Sequence, residues 1–247
     1  PISKITERTR GIVIINPNNP TGAVYSREIL QQIADVAREH ELVVFADEIY
    51  EKITYEGAEA INMATITGDD VLCMTFSGLS KAYRVCGYRA GWLAITGPKE
   101  DAKNYIEGIT LLASMRLCSN VPAQHAIQTA LGGYQSIDEL VAPGGRLYEQ
   151  RTLAYRMLNE IDGITCEQAD GALYLFPKID TEKFNIKSDE QFMLDLLKDQ
   201  KILFSHGSAF NWHKPDHFRL VFLPDVQTLK SALERLGNFM ADYKQKN

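Results

Sequence analysis

Apolar residues along this chain fall in two rhythms: short β-rich runs that end in turn residues, and longer stretches where they recur at helical spacing. Gly11 to Ile15 and Leu42 to Ala46 are runs of the first kind. Between them Ser26 can cap a helix in which Ile29, Leu30, Ile33, Ala34, Val36 and Ala37 share one face as far as Glu39. Strand, loop, helix and strand make a βαβ unit, which predicts parallel pairing with a right-handed crossover. Val71 to Phe76 is a third buried strand, reached through a connection, Ile61 to Asp70, with room for one short helical turn. Trp92 to Ile95 extends a strand begun near Arg89, so the link from Lys81 to Arg89 is a hairpin-like excursion. Gly97-Pro98 then opens a helix from about Lys99 to about Ser114, and Pro122 to Gly132 forms another, stopped by Gly132-Gly133.

From Ser136 the pattern changes. Apart from an interruption at Pro143-Gly144-Gly145, residues Leu147, Leu153, Ala154, Met157, Leu158 and Ile161 recur at helical spacing up to Gly163, which predicts a long helix able to join two domains. Ile164 to Cys166, Ala172 to Phe176, Ile202 to Phe204 and Phe218 to Leu223 read as strands of a second sheet, covered by helices over Glu190 to Lys198 and Val226 to Tyr243. The reading is therefore α/β patterning over residues 1–135, then an interdomain helix and an α+β domain over 136–247.

At 247 residues and 45% hydrophobic content the chain can bury a sizeable core. A net charge of −6 favours neither nucleic acid nor an anionic membrane as partner. No apolar run approaches the roughly 20 residues of a membrane span, and the first ten residues lack a signal-peptide core, so a soluble, cytoplasmic protein is expected. Cys73, Cys86, Cys118 and Cys166 are far apart and lie mostly in apolar surroundings, as reduced core thiols do; the five histidines form no zinc-ligand spacing. Metal catalysis is not expected.

The chemistry concentrates in Ser77 to Trp92, Ser-Gly-Leu-Ser-Lys-Ala-Tyr-Arg-Val-Cys-Gly-Tyr-Arg-Ala-Gly-Trp. Lys81 follows a buried strand and so sits over the sheet edge where open α/β sheets bind ligands. Partial desolvation in a cationic site moves an amine from its free pKa of about 10.4 toward about 7 to 8, where it can attack a carbonyl. Arg89 offers a planar fork suited to phosphate, Ser77 and Ser80 add hydroxyl donors, and Gly78, Gly87 and Gly91 allow close backbone approach. A lone lysine is ordinarily a solvated loop residue and a lone arginine a surface one; the whole constellation points the other way. Upstream, Asn16-Pro17-Asn18-Asn19-Pro20-Thr21-Gly22 is a loop too specialised for a plain βα connection, and Asp47, with Glu48, Ile49 and Tyr50, follows the second strand into the ligand crevice.

These three signatures, in this order and with Asp47 34 residues before Lys81, resemble those of class I pyridoxal-phosphate aminotransferases, particularly the alanine (glutamate–pyruvate) branch. The resemblance implies PLP fold type I, with an incomplete large domain, and pyridoxal 5'-phosphate as cofactor. It assigns Lys81 as the amine that forms an imine with the cofactor, and Asp47 as the ion-pair partner of its ring nitrogen. Asn19 and Tyr50 fall to the phenolic oxygen, Asn19 standing beside the substrate too, and Ser77, Ser80 and Arg89 fall to the phosphate. Arg219, between Phe218 and Leu220, is assigned to the substrate carboxylate; an interdomain salt bridge is the structural alternative. Gly171-Ala172 with Tyr174 fits either a pocket wall or a core hairpin. The implied reaction is transamination of L-alanine with 2-oxoglutarate by a homodimer of the full-length protein.

Family members carry a longer N-terminal part, with a phosphate-binding helix terminus and a ring that stacks on the pyridine. This sequence starts after those features, so exposed apolar surface and a weak or inactive isolated chain are expected. Two other readings stand beside transamination. One is a remnant or interaction module that folds without binding cofactor; the other keeps the cofactor for lyase or decarboxylase chemistry, which product analysis would separate.

Overall fold

The computed structural model describes residues 2–246, which form two compact units. The first comprises the chain up to Asn18, Val24–Thr54 and Glu59–Asp138; the second comprises Asn19–Ala23, Tyr55–Ala58 and the chain from Glu139 on.

The first unit is built on a four-stranded sheet of β1 (Gly11–Ile15), β2 (Val43–Asp47), β3 (Cys73–Gly78) and β4 (Gly91–Thr96), in that spatial order. β1, β2 and β3 are parallel and β4 is antiparallel to β3. α1 (Arg27–Glu39) makes the crossover, capped by Ser26, whose hydroxyl accepts from the Ile29 amide at 3.4 Å. Its buried Leu30, Ala34 and Ala37 lie on one stripe, as the period of 3.6 requires. They pack with Met63 and Ile66 of the α2 turn (α2, Ala64–Thr67) against Ile14, Val44, Ala46 and Cys73 of the sheet. Strand side chains alternate between faces, and on the opposite face Val13 is 73% exposed and Phe76 39%. α3 (Lys103–Met115) and α4 (Val121–Gly132) follow, with Leu111, Leu112, Met115 and Leu117 exposed.

The β3–β4 pair is tight. Gly91 lies opposite Gly78, and a Cβ at Gly91 would meet the Ser77 carbonyl oxygen at 2.7 Å, so a side chain there would part the strands just below the Lys81 loop.

The division into units falls within α5 (Ile137–Val141). The long helix expected from Ser136 to Gly163 is two helices, because Pro143 has no N–H to donate and the chain restarts at the Gly145 cap as α6 (Arg146–Asn159). Beyond α6 come β5 (Ile164–Thr165), β6 (Tyr174–Leu175), β7 (Lys178–Ile179), α7 (Asp189–Gln200), β8 (Ser205–His206), β9 (Phe218–Val221) and α8 (Val226–Asp242). The single second sheet expected from sequence is two small antiparallel ones, β5–β7 and β6–β9–β8. Ile202 to Phe204 is not a strand; in this apolar run Ile202 is buried and Phe204 stacks on Phe218 at 5.1 Å, while the ladder forms at Ser205 and His206.

Of the cysteines, all free, only Cys73 and Cys166 are core thiols; Cys86, on a 3-10 turn, and Cys118, between α3 and α4, are exposed. Among the described residues no helix is long and apolar enough to cross a membrane.

Candidate active site

In the first unit the sheet delivers its functional side chains at one edge. Asp47 is the last residue of β2 and lies beside Phe76 of β3 in the parallel register. Its half-buried carboxylate accepts from the Ile49 amide at 3.1 Å, which turns the chain and sends Tyr50 back toward the strand ends. β3 runs on to Gly78, and Leu79 then donates to the Ala90 carbonyl at 3.1 Å, closing the loop that carries Ser80 and Lys81. Lys81 is half-buried, and its ammonium lies 5.8 Å from the centroid of the Tyr50 ring. Arg89 closes the 3-10 turn Cys86–Tyr88 with a left-handed φ of 52°, a backbone conformation that costs about 1 kcal/mol or more in a residue with a Cβ. Its Nη1 donates to the Cys86 carbonyl at 2.5 Å, and the exposed guanidinium has no carboxylate partner among the described residues.

Asp47 and Lys81 also form no ion pair among the described residues. An amine, a carboxylate and a guanidinium are thus held at one sheet edge without neutralising one another. Such a set suits a small molecule bearing a carbonyl, a basic ring nitrogen and a phosphate. Ser77 differs from expectation in one respect: its hydroxyl donates to Glu51, whose carboxyl is pushed up by burial while this bond and Lys52 oppose the shift.

Sequence reasoning passed over Glu48. It is 3% exposed, and its carboxylate accepts from Asn62 Nδ2 at 2.5 Å and from the Met63 amide at 2.7 Å. Burial pushes it up to about 7, against the Met63 bond and with help from the charges of Glu51 and Asp47. The signal available was a second acid directly after a strand-end acid, at the position whose side chain alternation sends into the core.

In the second unit Asn19 and Arg219, 200 residues apart in sequence, meet: Arg219 Nη1 donates to Asn19 Oδ1 at 2.9 Å, leaving the Asn19 amide nitrogen as a donor. The loop holding Asn19 is fixed at Gly22, whose carbonyl accepts from the Gly171 amide at 2.8 Å. Gly22 has φ +73°, and a Cβ there would lie 2.4 Å from that of Ala169, so the closing glycine of the heptapeptide is required by both backbone and space. Arg219 forms no salt bridge among the described residues. Tyr174 proves to be packed under Arg219, its ring centroid 4.6 Å from the guanidinium carbon.

Residues 2–236 match the family described as aminotransferase class I and II. The chain is 63% identical to an alanine aminotransferase of Mycobacterium bovis, over 98% of this chain and 56% of that protein. It is 58% identical to the glutamate-pyruvate aminotransferase AlaA of Escherichia coli, over 98% of this chain and 60% of that protein. A crystal structure of an Escherichia coli aminotransferase superposes with a TM-score of 0.97 at 58% identity, covering 99% of this chain and 60% of that one. The chain therefore spans somewhat over half the length of these relatives. With those matches and with helices packed on a mainly parallel sheet, the chain belongs to the class I and II aminotransferases and has the α/β fold type I of pyridoxal-phosphate enzymes.

Proposed function

We propose that the full-length protein carrying this chain is a pyridoxal-phosphate-dependent transaminase that exchanges the amino group of L-alanine with 2-oxoglutarate, giving pyruvate and L-glutamate. The observation that carries this reading is the uncompensated trio of Lys81, Asp47 and Arg89 at one sheet edge, supported by relatives named as alanine and glutamate-pyruvate aminotransferases. When bound, the cofactor supplies an electron sink that stabilises negative charge at the substrate Cα.

The protein's own groups do the rest. Lys81 would hold the cofactor through its amine, and that amine, when free, would move the substrate Cα proton as general base and then general acid. Asp47 keeps a proton on the ring nitrogen by charge. Tyr50, whose ring already faces the Lys81 ammonium, and Asn19, through its amide nitrogen, donate to the phenolic oxygen. Arg89 and Ser80 hold the phosphate, joined by Ser77 if it exchanges its bond to Glu51 for one to that anion. Arg219 takes the substrate carboxylate, and Asn19 orients both.

We further assign residues 1–135 to part of the cofactor-binding domain and 136–247 to the interdomain segment and small domain. A cytoplasmic homodimer is the expected assembly, since closed two-fold dimers are the commonest oligomers and family sites are shared across one. The test is a coupled assay of purified full-length protein for pyruvate formed from alanine and 2-oxoglutarate. Wild type is expected to be active and Lys81→Ala to lose activity by several orders of magnitude. Pyruvate formation unaffected by Lys81→Ala would refute the reading, and carbon dioxide with ethylamine in place of pyruvate and glutamate would replace it with decarboxylase chemistry.

A further inference from the structure

Arg219 occupies the central strand of the β6–β9–β8 sheet, with Ser205 of β8 directly opposite it in register and, on the other side, β6, whose Tyr174 pairs with Val221 two residues along the strand. Its guanidinium carbon lies 4.6 Å from the Tyr174 ring centroid and 4.7 Å from that of Phe210. Nη1 donates to Asn19 Oδ1 at 2.9 Å and Nη2 to Ser205 Oγ at 3.3 Å. Nε is buried and has no hydrogen-bond partner. A half-buried cation often recruits an acid, yet here the charge is met by two aromatic rings, an amide oxygen and a hydroxyl.

The physical difference is one of availability. A carboxylate paired with Arg219 would occupy the in-plane N–H donors and cancel the field that a ligand carboxylate needs. A ring attracts the cation through its π face and consumes none of the in-plane donors, so that beside the bonds to Asn19 and Ser205 the second N–H of Nη1 and of Nη2 stays available. Phe210 is itself held edge-on by Phe176, with ring centroids 6.3 Å apart at 89°, so its face is fixed rather than swinging.

We propose that Tyr174 and Phe210 are positioning residues that hold Arg219 charged, oriented and unpaired as a preformed receptor for a monocarboxylate, an inference that rests on the reading of Arg219 as the substrate-carboxylate contact. The rings act through Arg219 and do not touch the reacting atoms. Their effect falls on ligand affinity, with KM rising and kcat for saturating substrate changing little.

The experiment uses the full-length protein and propionate, an unreactive monocarboxylate, titrated by NMR on side-chain 15N-labelled arginine signals, with Arg219→Leu identifying the Arg219 resonance. Phe210 is replaced in a series by 4-fluoro-, 3,5-difluoro- and 3,4,5-trifluorophenylalanine, which keeps the ring's shape while draining its face of negative potential. Tyr174→Leu and Tyr174→Phe complete the set. Propionate binding is expected to weaken stepwise with fluorination, reaching about threefold to tenfold, and by a similar factor in Tyr174→Leu, with recovery in Tyr174→Phe. Should Tyr174→Leu fail to fold, the fluorine series decides alone, since it leaves packing in place. Affinity that is unchanged or tighter along the series, while Arg219→Leu abolishes binding, would overturn the role of the rings and leave the Arg219 reading standing. Propionate binding that survives Arg219→Leu would overturn both.

Discussion

Glu48→Gln offers the most specific test of the local electrostatics. The Glu48 carboxyl rises from its ordinary value near 4.5 to about 7, because burial at 3% exposure penalises the charged form. Since the folded value lies above the unfolded one, the folded protein retains a proton that the unfolded chain gives up between those pH values. The associated stability is complete below about pH 4.5 and is lost as pH rises through about 7. The rise from 4.5 to about 7, at about 1.4 kcal/mol per pH unit, sets a ceiling near 3.5 kcal/mol. Because a buried site relaxes around the charge it must accept, the expected loss is about 1 to 2 kcal/mol. For a domain of this size that is a fall in Tm of about 2 to 8 °C between pH 5 and pH 8.

The assay is thermal unfolding of wild type and Glu48→Gln across that range at constant ionic strength. Glutamine keeps the shape and cannot titrate, so most of the downward slope should vanish. A residue of it remains from Glu51, which is raised for the same reason. The variant should also start from a lower Tm at pH 5, because its amide nitrogen faces the Asn62 nitrogen while Asn62 Oδ1 is committed to the Ala64 amide. Parallel slopes in the two proteins would refute the reasoning and place the titrating group elsewhere.

Three further substitutions expose the remaining assignments. Arg219→Lys in the full-length protein should weaken substrate carboxylate binding by about 1.5 to 3 kcal/mol and spare cofactor affinity, measured as KM and cofactor Kd; unchanged kinetics would remove Arg219 from the substrate. Asp47→Ala should leave cofactor capture by Lys81 intact and slow removal of the substrate Cα proton, followed in a single-turnover half-reaction, where an undiminished rate would show that the ring nitrogen needs no acid. Gly22→Ala should cost at least about 1 to 3 kcal/mol in denaturant unfolding, since the new Cβ enters a positive-φ site 2.4 Å from Ala169 Cβ; a loss below 0.5 kcal/mol, on the order of a surface change, would mean the loop can move aside.

What the sequence disclosed was whatever leaves a local pattern. α1 was legible because Ser26 caps it and Leu30, Ala34 and Ala37 repeat at helical spacing; β1 and β2 were legible as short apolar runs that stop at turn residues. Lys81, Asp47 and Asn19 stood out because each lies in a dense local signature. Two errors came from pattern without pairing. Apolar spacing from Leu147 to Ile161 carried the helix backward across Pro143, where the missing N–H ends it. The apolar run Ile202 to Phe204 reflects burial of Ile202 and stacking of Phe204, whereas hydrogen bonding places the strand at Ser205 and His206. Cys86 and Cys118 were misplaced because apolar neighbours in sequence are not neighbours in space.

Contacts between distant residues left no local trace. Nothing in the neighbourhood of Asn19 points to Arg219, and nothing near Arg219 points to Phe210. Glu48 was hidden by Asp47: two adjacent acids at a strand end invite one functional role, and alternation, which sends the second into the core, was not applied to it.

The central claim is that Lys81 is the cofactor-binding nucleophile. It is tested most directly by incubating the full-length protein with pyridoxal 5'-phosphate, reducing with borohydride and mapping the modified lysine by mass spectrometry. The account predicts stoichiometric modification confined to Lys81. Modification at other lysines, or none in a folded sample, would contradict it.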